Sequence, residues 1–375
     1  MSRAEATIDL AALESNVARL RAASPTAEMM AVVKADGYGH GLVECGRASL
    51  AGGATWLGVA LFDEALQLRS AGIDARILAW LGTPDDQWAQ CIAADIDLSV
   101  SAPWAIDAIA AGARQHNRVA RVHLKVDTGL GRAGSSVADW PQLVDAALAL
   151  RAQGLIDIVG IWSHLAYADE PNHPTVKHQG DVFNDAVEYA ESRGVLPAYR
   201  HLANTAATLN SPQVHYDLVR PGIGVYGLSP GLATGRAEQL GLTPIMTLRG
   251  RFASVKRVPA GHGVSYGHEY VTERETTLGL VPLGYADGIP RRATNVGPVF
   301  AAGRRRIIAG RVCMDQFVIE LGDDEAQVGD DVVLFGSGAN GEPTAEDWAR
   351  VCDTIGYEIV TRVGPRVRRV YVGGR

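Results

Sequence analysis

Lysine is nearly absent from this chain of 375 residues: Lys34, Lys125, Lys177 and Lys256 stand against 31 arginines. Cysteine is as sparse. Cys45, Cys91, Cys313 and Cys352 are far apart and form no C-x-x-C pair, which argues against a disulfide framework or structural zinc and fits a reducing compartment. No apolar run approaches the roughly 18 residues of a membrane span. The opening residues, Met1-Ser2-Arg3-Ala4-Glu5, lack the apolar core of a secretory signal. The expected location is the cytoplasm, with no membrane partner. A basic excess is missing too: the net charge of −7 argues against nucleic acid as a partner. The triplet Arg304-Arg305-Arg306 reads as a solvated turn, and the acidic stretches after Gly322 and Gly329 fit no calcium loop.

What is present is an ordinary globular composition, 47% hydrophobic and 21% charged, at a length that suits two domains. Strand-like runs recur near 7–10, 28–34, 56–60, 76–81, 97–100, 120–126, 156–163, 199–203 and 216–226. Stretches of helical period separate them, the first over 11–23 with Leu13, Val17 and Leu20 on one face. This alternation predicts an α/β fold, an N-terminal (β/α)8 barrel over 1–240. Past 240 the helical period fades. Short strands are expected at 245–257, 277–283, 307–311, 316–321, 331–335 and 367–372, with one helix over 344–351. Residues 241–375 therefore read as a C-terminal mainly β domain.

Lys34 closes the apolar run Ala31-Val32-Val33 and opens the glycine-rich turn Ala35-Asp36-Gly37-Tyr38-Gly39-His40-Gly41. An amine can lose its proton and attack a carbonyl, as arginine cannot. Alone, it would be a strand-end lysine reaching solvent. In a (β/α)8 barrel, however, the C-terminal strand ends share one mouth. Lys34, Trp80, Lys125, Arg132, His164, Asn204, Thr205 and Arg220 all fall at such ends or just beyond. That cationic set suits an anionic ligand bearing phosphate or carboxylate. Pro221-Gly222-Ile223-Gly224 offers backbone N–H groups which, with the hydroxyls of Tyr38 and Thr205, form a plausible phosphate cradle.

These segments resemble the alanine racemase family, over essentially the whole chain. The resemblance is carried by Val33-Lys34-Ala35-Asp36-Gly37-Tyr38-Gly39-His40-Gly41, by His123 to Arg132, by Gly160-Ile161-Trp162-Ser163-His164 and by Ala203-Asn204-Thr205-Ala206-Ala207. Arg220 to Gly227, Val264-Ser265-Tyr266-Gly267, Gly284-Tyr285-Ala286-Asp287-Gly288 and Cys313-Met314-Asp315 follow in order. The resemblance implies a pyridoxal 5'-phosphate enzyme that racemises alanine and supplies D-alanine for peptidoglycan. Lys34 would hold the cofactor as a Schiff base and act as the proton-transfer base on one face of Cα. Tyr266, from the β domain of a partner subunit, would be the base on the other face, so a homodimer with shared sites is expected. A phenol of ordinary pKa near ~10 is a poor base, and nearby cations would have to favour its phenolate.

By the same resemblance Arg220 meets the pyridine nitrogen and His164 orients it. Tyr38, Thr205, Gly222, Ile223 and Tyr357 contact the phosphate. Arg132 meets the substrate carboxylate or the cofactor's phenolic oxygen, and Lys125 is a candidate for carbamylation. Asn204 and Trp80 line the cofactor, Trp80 where leucine is common and Thr205 where serine is. Met314 contacts substrate from the partner, with Tyr285 and Asp315 at the entrance. No metal is expected. The alternatives are a decarboxylase of the same architecture, a cofactor-free barrel aldolase and a non-catalytic cofactor-binding barrel. Arg220 weighs against the first, since such enzymes place a carboxylate there, and the second domain weighs against the other two.

Overall fold

The structure, a computed structural model, describes residues 3–170 and 172–374. The strands of its first two-thirds are β1 (Ala4–Asp9), β2 (Glu28–Val32), β3 (Trp56–Val59), β4 (Arg76–Ala79), β5 (Asp97–Val100), β6 (Ala120–Lys125), β7 (Ile156–Trp162), β8 (Tyr199–His201) and β9 (Leu218–Val219). Strands β2 to β9 form one eight-stranded parallel sheet in the order β8-β7-β6-β5-β4-β3-β2-β9. It curls until β8 meets β9, where Asp217 N donates to Arg200 O (3.0 Å) and Arg220 N to Ala203 O (2.9 Å). Helices on the outside connect the strands, as the alternating period predicts.

The first helix, Leu10–Ala23, shows why the pattern works. Asp9 accepts a hydrogen bond from Ala12 N (3.0 Å) and caps the helix. Leu13, Val17 and Leu20 are fully buried along one stripe. Asn16, buried on the same stripe, exchanges hydrogen bonds with Thr243 and ties the helix to the linker after the barrel.

Strand β1 does not join the barrel. It pairs antiparallel with β10 (Met246–Arg251) and parallel with the chain's last strand, at Arg368–Val372. Between these two lie β11 (Ser254–Val258), β12 (Gly263–Val264), β13 (Tyr270–Val271), β14 (Thr276–Val281), β15 (Pro298–Ala301), β16 (Arg304–Ile307), β17 (Phe317–Gly322) and β18 (Asp331–Phe335), which makes the last strand β19. A six-stranded sheet runs β16-β15-β18-β10-β1-β19 and a three-stranded one β11-β14-β17. The arginine triplet is thus not a turn. It forms β16, where Arg304 and Arg306 pair with Asp324 and Arg305 with Asp347. No helix of the described residues is long and apolar enough to cross a membrane, and all four cysteines are free.

The barrel interior is divided by chemistry. Met30, Trp56, Leu78 and Leu218 fill one side as a buried apolar cluster. The other side is polar, with Asp97, Ser99, His123, Lys125 and His201 buried on β5, β6 and β8. Barrel interiors are ordinarily packed with branched apolar side chains, so this polar column requires a partner for every group.

Candidate active site

Immediately after β2 the chain makes a left-handed helical turn. Ala35, Asp36, Gly37 and Tyr38 have φ of 54°, 54°, 59° and 52°. Three of these four residues carry a Cβ, and each costs about 1–2 kcal/mol in this region. Side chains from elsewhere hold the turn. Glu64 accepts from Ala35 N (2.5 Å) and Asp36 from Leu42 N (2.8 Å). His40 Nδ1 lies 2.9 Å from Gly37 O and 3.0 Å from Tyr38 O. Arg369, from β19, donates twice to Gly39 O. The turn brings Lys34 and Tyr38 to the same opening, with Lys34 Nζ 6.0 Å from the Tyr38 ring.

That opening is a cavity of about 550 Å³ at the C-terminal ends of the strands. Every barrel residue singled out from the sequence lines it, together with Tyr357 from the second part of the chain. Its charge is one-sided: Lys34, Lys125, Arg132 and Arg220 line it and, among the described residues, no carboxylate does. Burial, then the Arg132 charge, lowers the pKa of Lys34, with Glu64 opposing. Burial, then Arg220 and Arg132, brings Lys125 down to about 7; its ammonium lies 4.2 Å from the Trp162 ring centroid. Arg132 sits on a loop pinned by Asp127, which accepts from the backbone N–H groups of Gly129, Leu130 and Gly131.

Gly222 forms a cradle. A Cβ there would lie 2.3 Å from Tyr38 Oη, so only glycine leaves space between that hydroxyl and the backbone. Thr205 Oγ1 accepts from Gly222 N (2.9 Å) and Gly224 N (3.4 Å), which fixes the loop and leaves the Thr205 hydroxyl proton to donate to an acceptor. Asn204 caps the following helix, accepting from Ala207 N. Arg220 is buried, 5% exposed. It donates to Ser163 O (2.7 Å), Leu202 O (3.3 Å), His201 Nδ1 (3.1 Å) and His164 Nδ1 (3.4 Å). Burial and the neighbouring cations push His164 far below its usual range, so it meets the guanidinium as a neutral acceptor.

Residues 8–230 match the profile of the alanine racemase N-terminal domain and residues 245–371 that of the C-terminal domain. The chain belongs to the alanine racemase family. The alanine racemase of Frankia casuarinae is 59% identical over 370 residues, 99% of this chain and 96% of that protein. That of Streptomyces coelicolor is 56% identical, over 99% and 96%. The alanine racemase structure from D-cycloserine-producing Streptomyces lavendulae superposes with a TM-score of 0.99 at 56% identity, covering 100% of this chain and 98% of that one. The Bacillus anthracis alanine racemase with bound L-Ala-P gives 0.91 at 33%, over 100% and 96%.

Four residues expected at an alanine racemase site do not line the cavity: Tyr266, Tyr285, Met314 and Asp315. They lie on the β domain. Ser265 Oγ is 3.4 Å from Cys313 Sγ, and Tyr285 N donates to Cys313 O (3.0 Å). Tyr266 is 71% exposed, Met314 54% and Tyr285 42%. Asp315 is also exposed and pairs with Arg366. A neighbouring chamber of about 430 Å³ shares Asn204 and Tyr357 with the cavity but is lined by Asp169 and Glu346, which suits an anion poorly. Sequence reading missed His201, which bonds Arg220 at shorter range than His164 does. The available signal was its place at the end of an inward-facing strand, two residues after Tyr199. Glu64, Asp36, His40 and Arg369, which hold the left-handed turn, were missed as well.

Proposed function

We propose that the chain interconverts L-alanine and D-alanine with pyridoxal 5'-phosphate bound in the barrel cavity, as a cytoplasmic homodimer. The observation that carries this is one cavity that joins a lysine of lowered pKa, a glycine cradle flanked by hydroxyls and a buried guanidinium, with no carboxylate in its wall. These groups fit the cofactor's aldehyde, phosphate and ring nitrogen respectively. When bound, the cofactor supplies a carbonyl for the amino group and a conjugated ring that acidifies the Cα–H bond.

The chain's own groups do the rest. Ile223 N–H and the backbone opened by Gly222, with the Tyr38, Thr205 and Tyr357 hydroxyls, would hold the phosphate; Asn204 and Trp80 would flank the cofactor. Arg220 only donates hydrogen bonds; burial lowers its pKa to about 9, yet it stays charged at neutral pH, so a ring nitrogen facing it would stay unprotonated and the ring would be a moderate electron sink. His164 helps to orient it. Arg132 is free to take the substrate carboxylate. Lys34 Nζ moves a proton on one face of Cα. Tyr266 Oη of the partner subunit moves it on the other, with Met314, Tyr285 and Asp315 beside it at the entrance. The exposure of these aromatic and apolar groups on an isolated chain supports a partner that covers them. Lys125, with a pKa of about 7, has an amine that is substantially neutral at physiological pH. It can add to CO2, forming an N–C bond and releasing a proton, and the resulting anion would sit beside Arg132.

The test is chiral chromatography of L-alanine incubated with the holoenzyme in deuterated water. The expected result is D-alanine with deuterium at Cα and no CO2. Release of CO2, or no loss of the Cα proton, would sink the proposal. A mass increase of 44 Da at Lys125 in gently handled protein is the expected sign of the carbamate, the mass of one added CO2.

A further inference from the structure

The polar side of the barrel interior is joined end to end. Arg220 Nη1 lies 3.1 Å from His201 Nδ1, His201 Nε2 2.9 Å from His123 Nδ1, and His123 Nε2 3.2 Å from Asp97 Oδ2. All four residues are buried, Asp97 and both histidines at 0% exposure. The chain of bonds runs from the cavity to the opposite end of the barrel, where β5 begins.

With neutral rings, proton placement allows one arrangement. A guanidinium only donates, so His201 Nδ1 accepts and its proton sits on Nε2. That proton goes to His123 Nδ1, which must then accept. His123 carries its own proton on Nε2 and donates it to the Asp97 carboxylate. Burial, with Arg220 adding, pushes His201 down, and burial lowers His123 against the opposing pull of Asp97; both rings are therefore neutral. Burial favours a protonated Asp97, but the His123 bond and the charges of Arg76 and Arg121 outweigh it and keep the carboxyl ionised. Arg76 and Arg121 bind that carboxylate at 2.5 and 2.6 Å.

The surroundings are shaped to hold the two rings. Gly160 is the register partner of His123 on β7, and a Cβ there would lie 2.2 Å from His123 Nδ1. Trp162 stacks on His201 with centroids 5.5 Å apart and planes 8° apart, and its Nε1 is held by Ser99 Oγ at 2.9 Å. Arg220 makes no ion pair with a carboxylate among the described residues; it donates instead to two carbonyls and two imidazoles. A carboxylate in direct contact would take the guanidinium fork bidentately. The two-ring spacer leaves part of the fork open to the cavity.

We propose that Asp97 and His123 are positioning residues for Arg220, linked to it through His201, so that a carboxylate at the far end of the barrel fixes the orientation of a guanidinium at its mouth. A carboxylate that accepts from one imidazole nitrogen strengthens the other as an acceptor, and here that effect is passed through two rings. The inference rests on Arg220 meeting the cofactor ring as proposed above.

Nitrogen NMR of protein labelled in its histidine rings reads each tautomer directly, with or without cofactor. The parent is expected to show His201 and His123 neutral and protonated at Nε2 alone. His123→Phe keeps a ring in the space and removes both bonds; Asp97→Asn keeps an accepting oxygen and removes the charge. His123→Phe should move the His201 ring-nitrogen shifts and lower kcat for alanine by about ten- to a hundredfold with KM little changed, the range seen when the residue orienting a metal ligand is lost. Asp97→Asn should act in the same direction and more weakly. Protonation of His201 at Nδ1 in the parent would overturn the proposal, and this needs no variant to fold. So would folded variants with parent His201 shifts and parent kcat. A parent that lacks racemase activity but shows both Nε2 tautomers would defeat the functional reading and leave the relay standing.

Discussion

Gly222 and Tyr38 share one small space, and a double-mutant cycle between them tests the phosphate cradle. A Cβ on residue 222 would lie 2.3 Å from Tyr38 Oη and 3.0 Å from its Cζ. Gly222→Ala must therefore drive the hydroxyl out of position, and overpacking of this kind costs about 1–3 kcal/mol. Tyr38→Phe removes the same hydroxyl. A hydrogen bond to a charged group is worth about 1.5–3 kcal/mol, so each single variant should weaken pyridoxal phosphate binding by roughly ten- to a hundredfold. In the double variant the hydroxyl is already gone, and the ring carbon at 3.0 Å needs to yield only a few tenths of an ångström. Its binding loss should resemble that of one single variant, a coupling of roughly 1.5–3 kcal/mol equal to the bond counted twice. Fluorescence titration of the apoprotein with pyridoxal phosphate gives the four dissociation constants, and thermal unfolding checks that each apoprotein is folded. Losses that add to within about 0.5 kcal/mol, the range for independent sites, would refute the geometry of the cradle.

Three further outcomes are expected. Tyr266→Phe should abolish racemisation of both enantiomers while leaving the cofactor bound, and normal turnover by that variant would remove Tyr266 from the mechanism. Asp36→Ala removes the carboxylate that accepts from Leu42 N within the left-handed turn; losing a hydrogen bond to a charged group should cost about 1.5–3 kcal/mol of stability, read as a lower urea midpoint, and an unchanged midpoint would count against the restraint described. Burial holds His40 at about 4 against an ordinary 6.5, so the unfolded chain takes up that proton first. Stability should therefore fall as pH drops from 6.5 towards 4, by about 1.4 kcal/mol per unit for each such histidine; His123, His164 and His201 are lowered too, and a flat urea midpoint across this window would contradict their burial as neutral rings.

The barrel was legible because its signal is local. A strand with one face toward helices and a helix with one apolar stripe each declare themselves within a dozen residues, as Leu13, Val17 and Leu20 do. The barrel side of the cavity was legible for the same reason, since each of its residues follows a readable strand end. The destination of β1 was not, because its partners at 246–251 and 368–372 are set by pairing across the whole chain. The conformation of Ala35, Asp36 and Tyr38 was hidden too. Their sequence shows glycines nearby, but the restraints that impose positive φ on non-glycine residues come from Glu64 and Arg369. An arginine triplet looks like a turn until its strand partner is known: β16 pairs with β15, and Asp324 and Asp347 offset its charge. His123 stood out only as the start of a family segment and His201 not at all; only their meeting across the barrel gives them direction.

The placing of β1 between β10 and β19 has a consequence for synthesis. The strand leaves the ribosome well before its partners: its antiparallel neighbour lies about 240 residues downstream and its parallel neighbour about 360. At about 5–20 residues per second, β1 waits some tens of seconds with both edges unpaired, while the barrel strands behind it can already associate. The six-stranded sheet is completed only when β19 emerges. Arg369 reaches the backbone of the Lys34 turn from that same last strand, so a chain truncated before β19 would lose a support of its reactive lysine and expose a strand edge open to aggregation. Strands β1 and β19 thus act as a seal that closes only after β19 has been made.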